Sequence, residues 1–181
     1  YNLHNIADIG CGDGRMTKEL TKEFPNNNVL GIDYSQKAIN LAKALNTSTK
    51  FIKKDIVNEN LNTTFDAITL IEVFEHIPIN LCDDFVRALH DLLNEKGKIY
   101  LTVPHENKNL SYKHYQHFNQ ESLINYFKNI FKIDEIVFFD KQTRWTKIID
   151  VVLINKYFIL NNKRLNNYLY NIYKRRFFFC N

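Results

Sequence analysis

The sequence has few of the residues that mark several common classes of protein. It contains only three cysteines, Cys11, Cys82 and Cys180, and no two of them form a C-x-x-C pair. Their number and spacing are not those of zinc or dithiol redox sites and favour a reducing compartment. No apolar run reaches the length of a membrane-spanning helix. Since the first predicted strand begins close to Tyr1, leaving no room for a signal peptide, we expect a cytoplasmic protein.

A large excess of charge of one sign is also absent. The 24 Lys and Arg residues are nearly balanced by 20 Asp and Glu residues, which leaves a net charge of +4. Nucleic-acid-binding proteins usually carry a pronounced basic stripe, so nucleic acid is not the expected partner. The hydrophobic fraction of 45% and the charged fraction of 24% are ordinary for a globular protein. We therefore expect residues 1–181 to form a single domain.

Glycine is scarce as well, yet three of the five glycines lie within residues 10–14. Residues 6–9 are apolar enough for a buried strand and residues 16–24 have helical character, so these glycines fall where a strand turns into a helix. Such a turn lets a ligand approach the backbone, and the start of the helix offers unpaired N–H groups. Asp33 follows about one strand-helix-strand unit later, where an acid accepts hydrogen bonds from ribose hydroxyls. Together these features predict a nucleotide cofactor.

The spacing of the glycines distinguishes between nucleotide ligands. Gly10, Gly12 and Gly14 form G-x-G-x-G, whereas the dinucleotide fingerprint G-x-G-x-x-G would need a glycine in place of Arg15. No G-K-[ST] follows, which argues against a phosphate-binding P-loop. Together with Asp8, the segment resembles the first motif of the class I S-adenosylmethionine-dependent methyltransferases, an acid followed by x-G-x-G-x-G. The resemblance implies S-adenosylmethionine as the cofactor.

Later segments resemble the same family. Residues 51–56 read as a strand with an acid at its end, which the resemblance places beside the adenine amino group of the cofactor. The strand predicted over 65–73 runs into F-E-H-I-P, and the junction resembles the E-V-x-E-H motif of many small-molecule methyltransferases. The residues that the resemblance implies around the cofactor are Asp8, Gly10, Cys11, Gly12, Asp13, Gly14, Asp33, Tyr34, Asp55, Ile56, Glu72 and Val73.

Histidines are the candidate catalytic groups. Residues 112–123 resemble the H-x-x-H-F segment that borders the acceptor pocket in a broad group of methyltransferases, with His114 and His117 as its two histidines. Histidine can take a proton from a hydroxyl near neutral pH, so His76 and His117 are predicted as candidate bases. The alternative role of each is packing or capping. An amine acceptor would need no strong base.

A metal-dependent variant is an open alternative at this point. Glu72, Glu75, His76 and His117 resemble the divalent-metal set of the methyltransferases that modify the 3′-terminal 2′-hydroxyl of small RNAs. The E-x-x-E-H motif also occurs in relatives without a metal, and no basic RNA channel is evident, so we expect no metal. The favoured acceptor is a small metabolite, a sugar or a lipid-linked glycan. RNA methylation, quinone-ring O-methylation and a non-catalytic methyltransferase-like subunit are the alternatives.

The predicted fold is a Rossmann-like, doubly wound α/β domain, with an open, mostly parallel sheet and helices on both faces. A helix is predicted over 81–94, and further strands over 97–104 and 131–139. The cofactor is expected at the carboxyl ends of the strands.

The C-terminal residues 140–181 are expected to form a helical lid or an extension that closes the sheet. Residues 147–154, rich in β-branched side chains, are one candidate for a last strand, and a helix over 145–160 is the alternative. Apolar residues recur at helical spacing over 165–172, with basic and aromatic residues around them. A packed terminal helix with a solvated basic face is the favoured interpretation, and peripheral contact with a membrane surface is the alternative.

Overall fold

One five-stranded parallel sheet forms the centre of the fold in the computed structural model, which describes residues 3–138. The strands pair in the order β3-β2-β1-β4-β5. Their bounds are Asn5–Ile9 for β1, Asn28–Asp33 for β2, Lys50–Lys53 for β3, Phe65–Ile71 for β4 and Leu93–Thr102 for β5. This topology confirms the predicted Rossmann-like α/β class.

Helices lie in three of the crossovers that the parallel strands require, and a fourth helix follows β5. Their bounds are Arg15–Glu23 for α1, Gln36–Leu45 for α2, Cys82–Asp91 for α3 and Gln120–Phe127 for α4. Two of them begin at a side-chain cap: Ser35 accepts a hydrogen bond from Ala38 N–H, and Asn119 forms a reciprocal capping box with Ser122. Two short 3₁₀ turns, Phe74–His76 and Ile79–Leu81, lie between β4 and α3.

The order of the strands determines where a ligand can bind. β1 lies between β2 and β4, so the strand order reverses at the junction of β1 with β4. In an open α/β sheet, the crevice for a ligand forms at the carboxyl ends of the strands beside such a reversal. Residues Ala67–Leu70 of β4 are all buried, as expected for a strand covered on both faces.

An aromatic cluster around Phe74 attaches the segment after β4 to the rest of the core. Phe74 is fully buried, and its ring centroid lies 5.3 Å from that of Phe118 and 5.2 Å from that of Phe127. The ring of Phe85 in α3 lies 6.1 Å away. These separations are typical of favourable aromatic pairs. The cluster therefore fixes the 3₁₀ turn, and the two residues that follow Phe74 in it, against α3 and α4.

The prediction of a strand over 131–139 is wrong for the described residues 131–138, which form no strand. Phe131 N–H donates to the carbonyl of Phe127, and the Phe131 ring packs against the Phe127 ring. The apolar residue that suggested a strand thus closes the end of α4 instead. Phe139 lies outside the described residues.

The bounds of α3 and β5 differ from the predicted bounds by a few residues. The predicted helix over 81–94 ends at Asp91, because Leu93 already pairs with Phe65 of β4. The pairing is irregular between Phe65 and Ala67, where the register shifts, and this irregularity lets β5 begin before Gly97.

The chain divides into two units, Tyr1–Ile133 and Asp134–Asn181. All strands and helices given above belong to the first unit. Of the second unit, the structure describes only residues 134–138, so the predicted lid or last strand and the basic, aromatic segment lie outside the described residues. None of the helices within residues 3–138 combines the length and the apolar character needed to cross a bilayer.

We expect Phe74→Ala to lower the free energy of unfolding by about 3–5 kcal/mol, because it removes the central ring of a closely packed cluster. Urea denaturation followed by circular dichroism measures this change. Leu45→Ala is the matched control, since Leu45 is 56% exposed on α2, and its cost should stay within about 0.5 kcal/mol. Equal effects of the two substitutions would contradict the assigned role of Phe74.

Candidate functional site

The glycine turn between β1 and α1 has the backbone that its sequence predicts. Gly10, Gly12 and Gly14 have φ angles of +71°, +54° and +80°, all in the left-handed region. A Cβ on Gly10 would lie 2.4 Å from Cγ2 of Val73, so the turn packs directly against the segment after β4. A Cβ on Gly12 would meet no atom within 4 Å. The backbone at Gly12 is therefore open to a ligand.

Asp33 joins the end of β2 to this turn. Its Oδ2 atom accepts a hydrogen bond of 2.9 Å from Gly12 N–H, and its Oδ1 atom accepts one of 2.8 Å from Ser35 N–H. The N–H groups of Gly10 and Cys11 both donate to the carbonyl of Ile32. Each carboxylate oxygen of Asp33 keeps a second lone pair, which is the acceptor capacity that a sugar diol needs. The predicted pairing of the glycine turn with Asp33 is thus a direct contact.

Asp8 lies beneath the turn rather than at its surface. Its side chain is 2% exposed and accepts hydrogen bonds from the hydroxyls of Thr17 at 2.6 Å and Thr69 at 2.9 Å. Burial raises the pKa of this carboxyl, and the two hydroxyls act against the increase. Asp8 therefore links β1, α1 and β4. Its predicted contact with the cofactor stays a prediction, and the structure shows Asp8 as a residue that positions the turn.

Thr17 and Thr69 were missed by the sequence analysis. Thr69 is a polar residue at the centre of the apolar strand β4, and a buried hydroxyl there needs a polar partner. That signal was available in the sequence. The partner was not, because it depends on the register in which Asp8 pairs with Thr69.

Cys11 and Asp13 have different environments within the turn. Cys11 is buried, and burial together with the nearby carboxylates of Asp8 and Asp33 raises the pKa of its thiol to about 12. A thiol with this pKa stays protonated at neutral pH and is not a nucleophile. Asp13 forms an exposed ion pair with Arg15 at 2.9 Å. Neither residue shows catalytic chemistry of its own.

Tyr34, Asp55 and Ile56 follow the ends of β2 and β3. Tyr34 is 76% exposed directly after Asp33. The Asp55 carboxylate accepts hydrogen bonds from Val57 N–H and from the Asn58 side chain, and these bonds lower its pKa. Ile56 packs against the main core cluster. Asp55 therefore organises a local turn, and its predicted contact with adenine stays a prediction.

Glu72 has an unusual backbone at the end of β4. It is the one residue other than glycine within 3–138 that has a positive φ, at 53°. Its N–H donates to the carbonyl of Thr102 at 3.1 Å, and its Oε1 accepts a hydrogen bond of 3.0 Å from the Thr102 hydroxyl. Left-handed backbone in a residue with a Cβ costs about 1–2 kcal/mol and often occurs at functional sites. The contact with Thr102 holds this conformation at the end of β5.

A histidine cluster forms where the loop before α4 contacts the 3₁₀ turn. Tyr115 N–H donates to the carbonyl of Glu75 at 2.8 Å, which brings the loop onto the turn. The rings of His76 and His114 are perpendicular with centroids 4.7 Å apart, and His114 Nδ1 lies 2.8 Å from His117 Nε2. Burial, together with the other two imidazoles, lowers the pKa of His114. The structure thus brings both predicted bases, His76 and His117, to one place through His114.

A family model described as "Methyltransferase domain" matches residues 6–97, about half of the chain. Among curated proteins, the ubiquinone biosynthesis O-methyltransferase of Nitrosococcus oceani is 34% identical over 104 residues. The alignment covers 54% of this chain and 42% of that protein. The chain spans about two fifths of the length of the curated relatives that it matches.

Two solved structures are also similar. A TehB-like SAM-dependent methyltransferase from Corynebacterium glutamicum has a TM-score of 0.57 at 19% identity, and the match covers 70% of this chain and 64% of that one. At this identity the likeness concerns the fold. The plantazolicin methyltransferase BamL, solved in complex with a triazolic desmethylPZN analog and SAH, has a TM-score of 0.53 at 28% identity. That match covers 59% of this chain and 40% of the other.

We expect Thr17→Val to lower the free energy of unfolding by about 1–3 kcal/mol, because the buried Asp8 carboxylate loses one of its two hydroxyl donors. Chemical denaturation measures the change. Thr21→Val is the control, since the Thr21 hydroxyl donates only to the carbonyl of Thr17 within α1, and its cost should be within about 0.5 kcal/mol.

The cost of Thr17→Val should also depend on pH. In the folded state the pKa of Asp8 is raised above 3.8, so the contribution of Asp8 to stability is greatest below 3.8 and falls as pH rises through the raised pKa. The Thr17 hydroxyl favours the ionised form, so its removal should cost more at neutral pH than at acid pH. A cost that is independent of pH would indicate that Asp8 does not ionise in the fold.

Proposed function

The chain belongs to the methyltransferase-domain family, and from this membership we propose that it transfers the methyl group of S-adenosylmethionine to a small molecule. The proposed acceptor group is a hydroxyl or an amine of a small metabolite, a sugar or a lipid-linked glycan. The observation that carries the proposal is the open backbone at Gly12, whose N–H is held by Asp33 at the carboxyl edge of the sheet. The cofactor would bind across this edge, where β1, β2 and β4 end.

The parts of this edge match the parts of the cofactor. At Gly12 no side chain stands between the backbone and a ligand, as close approach of an adenosyl group requires. Asp33 offers acceptor lone pairs for the ribose hydroxyls. Tyr34 is exposed beside Asp33, and Val73 contacts the turn from the side of β4. The SAH-bound state of the plantazolicin methyltransferase supports the same cofactor for this chain.

Methyl transfer requires mainly correct placement of the acceptor. The methyl group of a sulfonium is already activated, so holding a nucleophile in line behind it can supply several kcal/mol of the barrier, about 7–11 kcal/mol at best. A hydroxyl acceptor also needs help in losing its proton. His76 is suited to that role, because its Nδ1 atom is engaged with the carbonyl of Lys113 while its side chain is 42% exposed. His117 would act through His114, to which its Nε2 atom is bound.

A ring hydroxyl of a quinone precursor is a second candidate acceptor. The similarity of this chain to the ubiquinone biosynthesis O-methyltransferase of Nitrosococcus oceani favours this acceptor. The loop that carries His114 also exposes large apolar or aromatic side chains at Leu110, Tyr112 and Tyr115. Pockets for small ligands are lined mainly by apolar and aromatic side chains with a few polar groups, and this loop supplies side chains of both kinds.

We expect Gly12→Ala to weaken S-adenosylmethionine binding at least about tenfold, because its methyl group would occupy the open space beside the turn. The substitution should cost the fold only about 1–2 kcal/mol, the strain of a left-handed backbone with a Cβ. Isothermal titration calorimetry measures the affinity, and thermal unfolding measures the stability. Leu45→Ala, on the exposed face of α2, should bind the cofactor as the unmodified chain does. If Gly12→Ala bound S-adenosylmethionine with unchanged affinity, the cofactor would not bind at this turn.

The proposed reaction is tested with S-adenosylmethionine that carries a labelled methyl group. We expect label to enter a small-metabolite, sugar or lipid-linked glycan fraction, or a ring hydroxyl of a quinone precursor. At a cofactor concentration below the Kd, Gly12→Ala should reduce this labelling about tenfold or more. Label found only at RNA 3′ ends would overturn the proposed class of acceptor. Absence of both label and cofactor binding would instead favour a non-catalytic methyltransferase-like subunit.

A further inference from the structure

Glu75 is a buried acid whose carboxylate has no hydrogen-bond partner among the described residues. Its exposed fraction is 0%, and both Oε1 and Oε2 are unpartnered. Burial raises the pKa of this carboxyl. An uncompensated buried carboxylate costs on the order of several kcal/mol, so the carboxylate needs a cation or a proton. The side chains closest to Glu75 indicate whether the site suits a cation or a proton.

His76 presents a lone pair to Glu75 rather than a hydrogen. The Nδ1 atom of His76 lies 3.0 Å from the carbonyl oxygen of Lys113, and a carbonyl oxygen can only accept. Nδ1 therefore carries the hydrogen in a neutral imidazole, and Nε2 carries the lone pair. Nε2 lies 4.0 Å from Oε1 of Glu75. With His76 neutral and Glu75 ionised, two electron-rich atoms thus face each other.

A chain of two hydrogen bonds sets the tautomer of His114 in the same way. His117 Nδ1 lies 3.1 Å from the carbonyl oxygen of Lys108, so this nitrogen is the donor. In a neutral imidazole the other nitrogen of His117, Nε2, is then an acceptor. It accepts from Nδ1 of His114 at 2.8 Å, which leaves Nε2 of His114 with a free lone pair.

In these neutral tautomers, Glu75, His76 and His114 each have an atom with a lone pair that no hydrogen bond uses. Glu75, His76 and His114 can each offer one ligand atom, and these three atoms lie within 4.8 Å of one another. We propose that these three residues bind one divalent transition-metal ion, and that His117 is a positioning residue that fixes the tautomer of His114. A carboxylate with two imidazoles suits Zn²⁺ or Mn²⁺ better than Mg²⁺ or Ca²⁺, which prefer oxygen ligands. Histidine ligands usually donate their second N–H to a carbonyl or a similar acceptor, as His76 does here.

The proposed ligands differ from the set of four that the sequence suggested. Glu72 accepts a hydrogen bond from Thr102, and both ring nitrogens of His117 are hydrogen-bonded. His114, which the sequence analysis placed only at the border of the acceptor pocket, takes the place of His117 in the ligand set. The difference between these two histidines is open to direct measurement.

A catalytic role for the ion rests on the proposed function, whereas binding of the ion to the chain does not. Three protein ligands leave a coordination position for a further ligand, and a bound ion would supply Lewis acidity that makes a nearby acceptor hydroxyl easier to deprotonate. With the ion bound, Nε2 of His76 is a ligand, so the ion replaces His76 as the group that eases loss of the proton. Binding itself needs neither cofactor nor acceptor. It can therefore be measured separately.

The test is calorimetric titration of the metal-stripped full chain with Zn²⁺, Mn²⁺ and Mg²⁺ in the absence of cofactor. We expect one Zn²⁺ or Mn²⁺ ion per chain, a raised Tm with the ion present, and at least about a hundredfold weaker affinity for Mg²⁺. Glu75→Gln and His114→Ala should each weaken binding of the preferred ion at least about a hundredfold. Glu75→Gln keeps the shape of the side chain and removes its charge, so its fold should persist by circular dichroism. No saturable binding by the unmodified chain, or full affinity in Glu75→Gln, would overturn the proposal.

Two further variants separate a ligand from a positioning residue and from a surface histidine. His117→Ala should weaken binding by about 10- to 100-fold, less than His114→Ala does. His90→Ala removes an exposed imidazole of α3 outside the cluster and should leave the affinity unchanged. Loss of binding in His117→Ala with full binding in His114→Ala would refute the ligand assignment.

A parallel titration with S-adenosylmethionine distinguishes the two proposals. Metal binding that survives in a chain without cofactor binding supports the metal site and counts against the proposed function. Cofactor binding without metal binding supports the proposed function and counts against the metal site.

Discussion

The parallel pairing of β1 with both β2 and β4 is the constraint on which the rest of the structure depends. Because the three strands run in the same direction, their carboxyl ends reach one edge of the sheet. The glycine turn, Asp33 and the 3₁₀ turn with Glu75 and His76 follow these three ends in that order. The shared direction of the strands thus brings together segments that are far apart in the sequence, and contacts such as the one between Gly12 and Asp33 then hold them there. The buried hydrogen bonds from Thr17 and Thr69 to Asp8 tie β1, α1 and β4 together below the edge.

The features that could be predicted from the sequence are those that depend on local backbone needs. The glycine turn was predictable because few other residues adopt a left-handed backbone. The prediction of a strand over 131–139 was wrong because a strand depends on distant partners rather than on local backbone needs. Alternation of apolar residues does not show whether a segment finds a strand to pair with, and Phe131 finds the end of α4 instead.

The histidine cluster could be predicted only in part, because it depends on a contact between distant segments. His76 and His117 were recognisable as candidates from their motifs, but their hydrogen-bonding atoms were not. The backbone bond from Tyr115 to Glu75 sets how the loop lies on the turn, and it inserts His114 between the other two histidines. The lack of a partner for the buried Glu75 carboxylate likewise cannot be read from the sequence, since it depends on tertiary packing.

The environment of Cys11 makes its thiol less reactive toward oxidants and alkylating reagents. Peroxide and alkylating electrophiles react with the thiolate form of cysteine, and the pKa of about 12 keeps that form negligible under ordinary conditions. The same two carboxylates that organise the turn, Asp8 and Asp33, contribute to this protection. The Cys11 thiol should therefore react slowly with peroxide and with alkylating reagents.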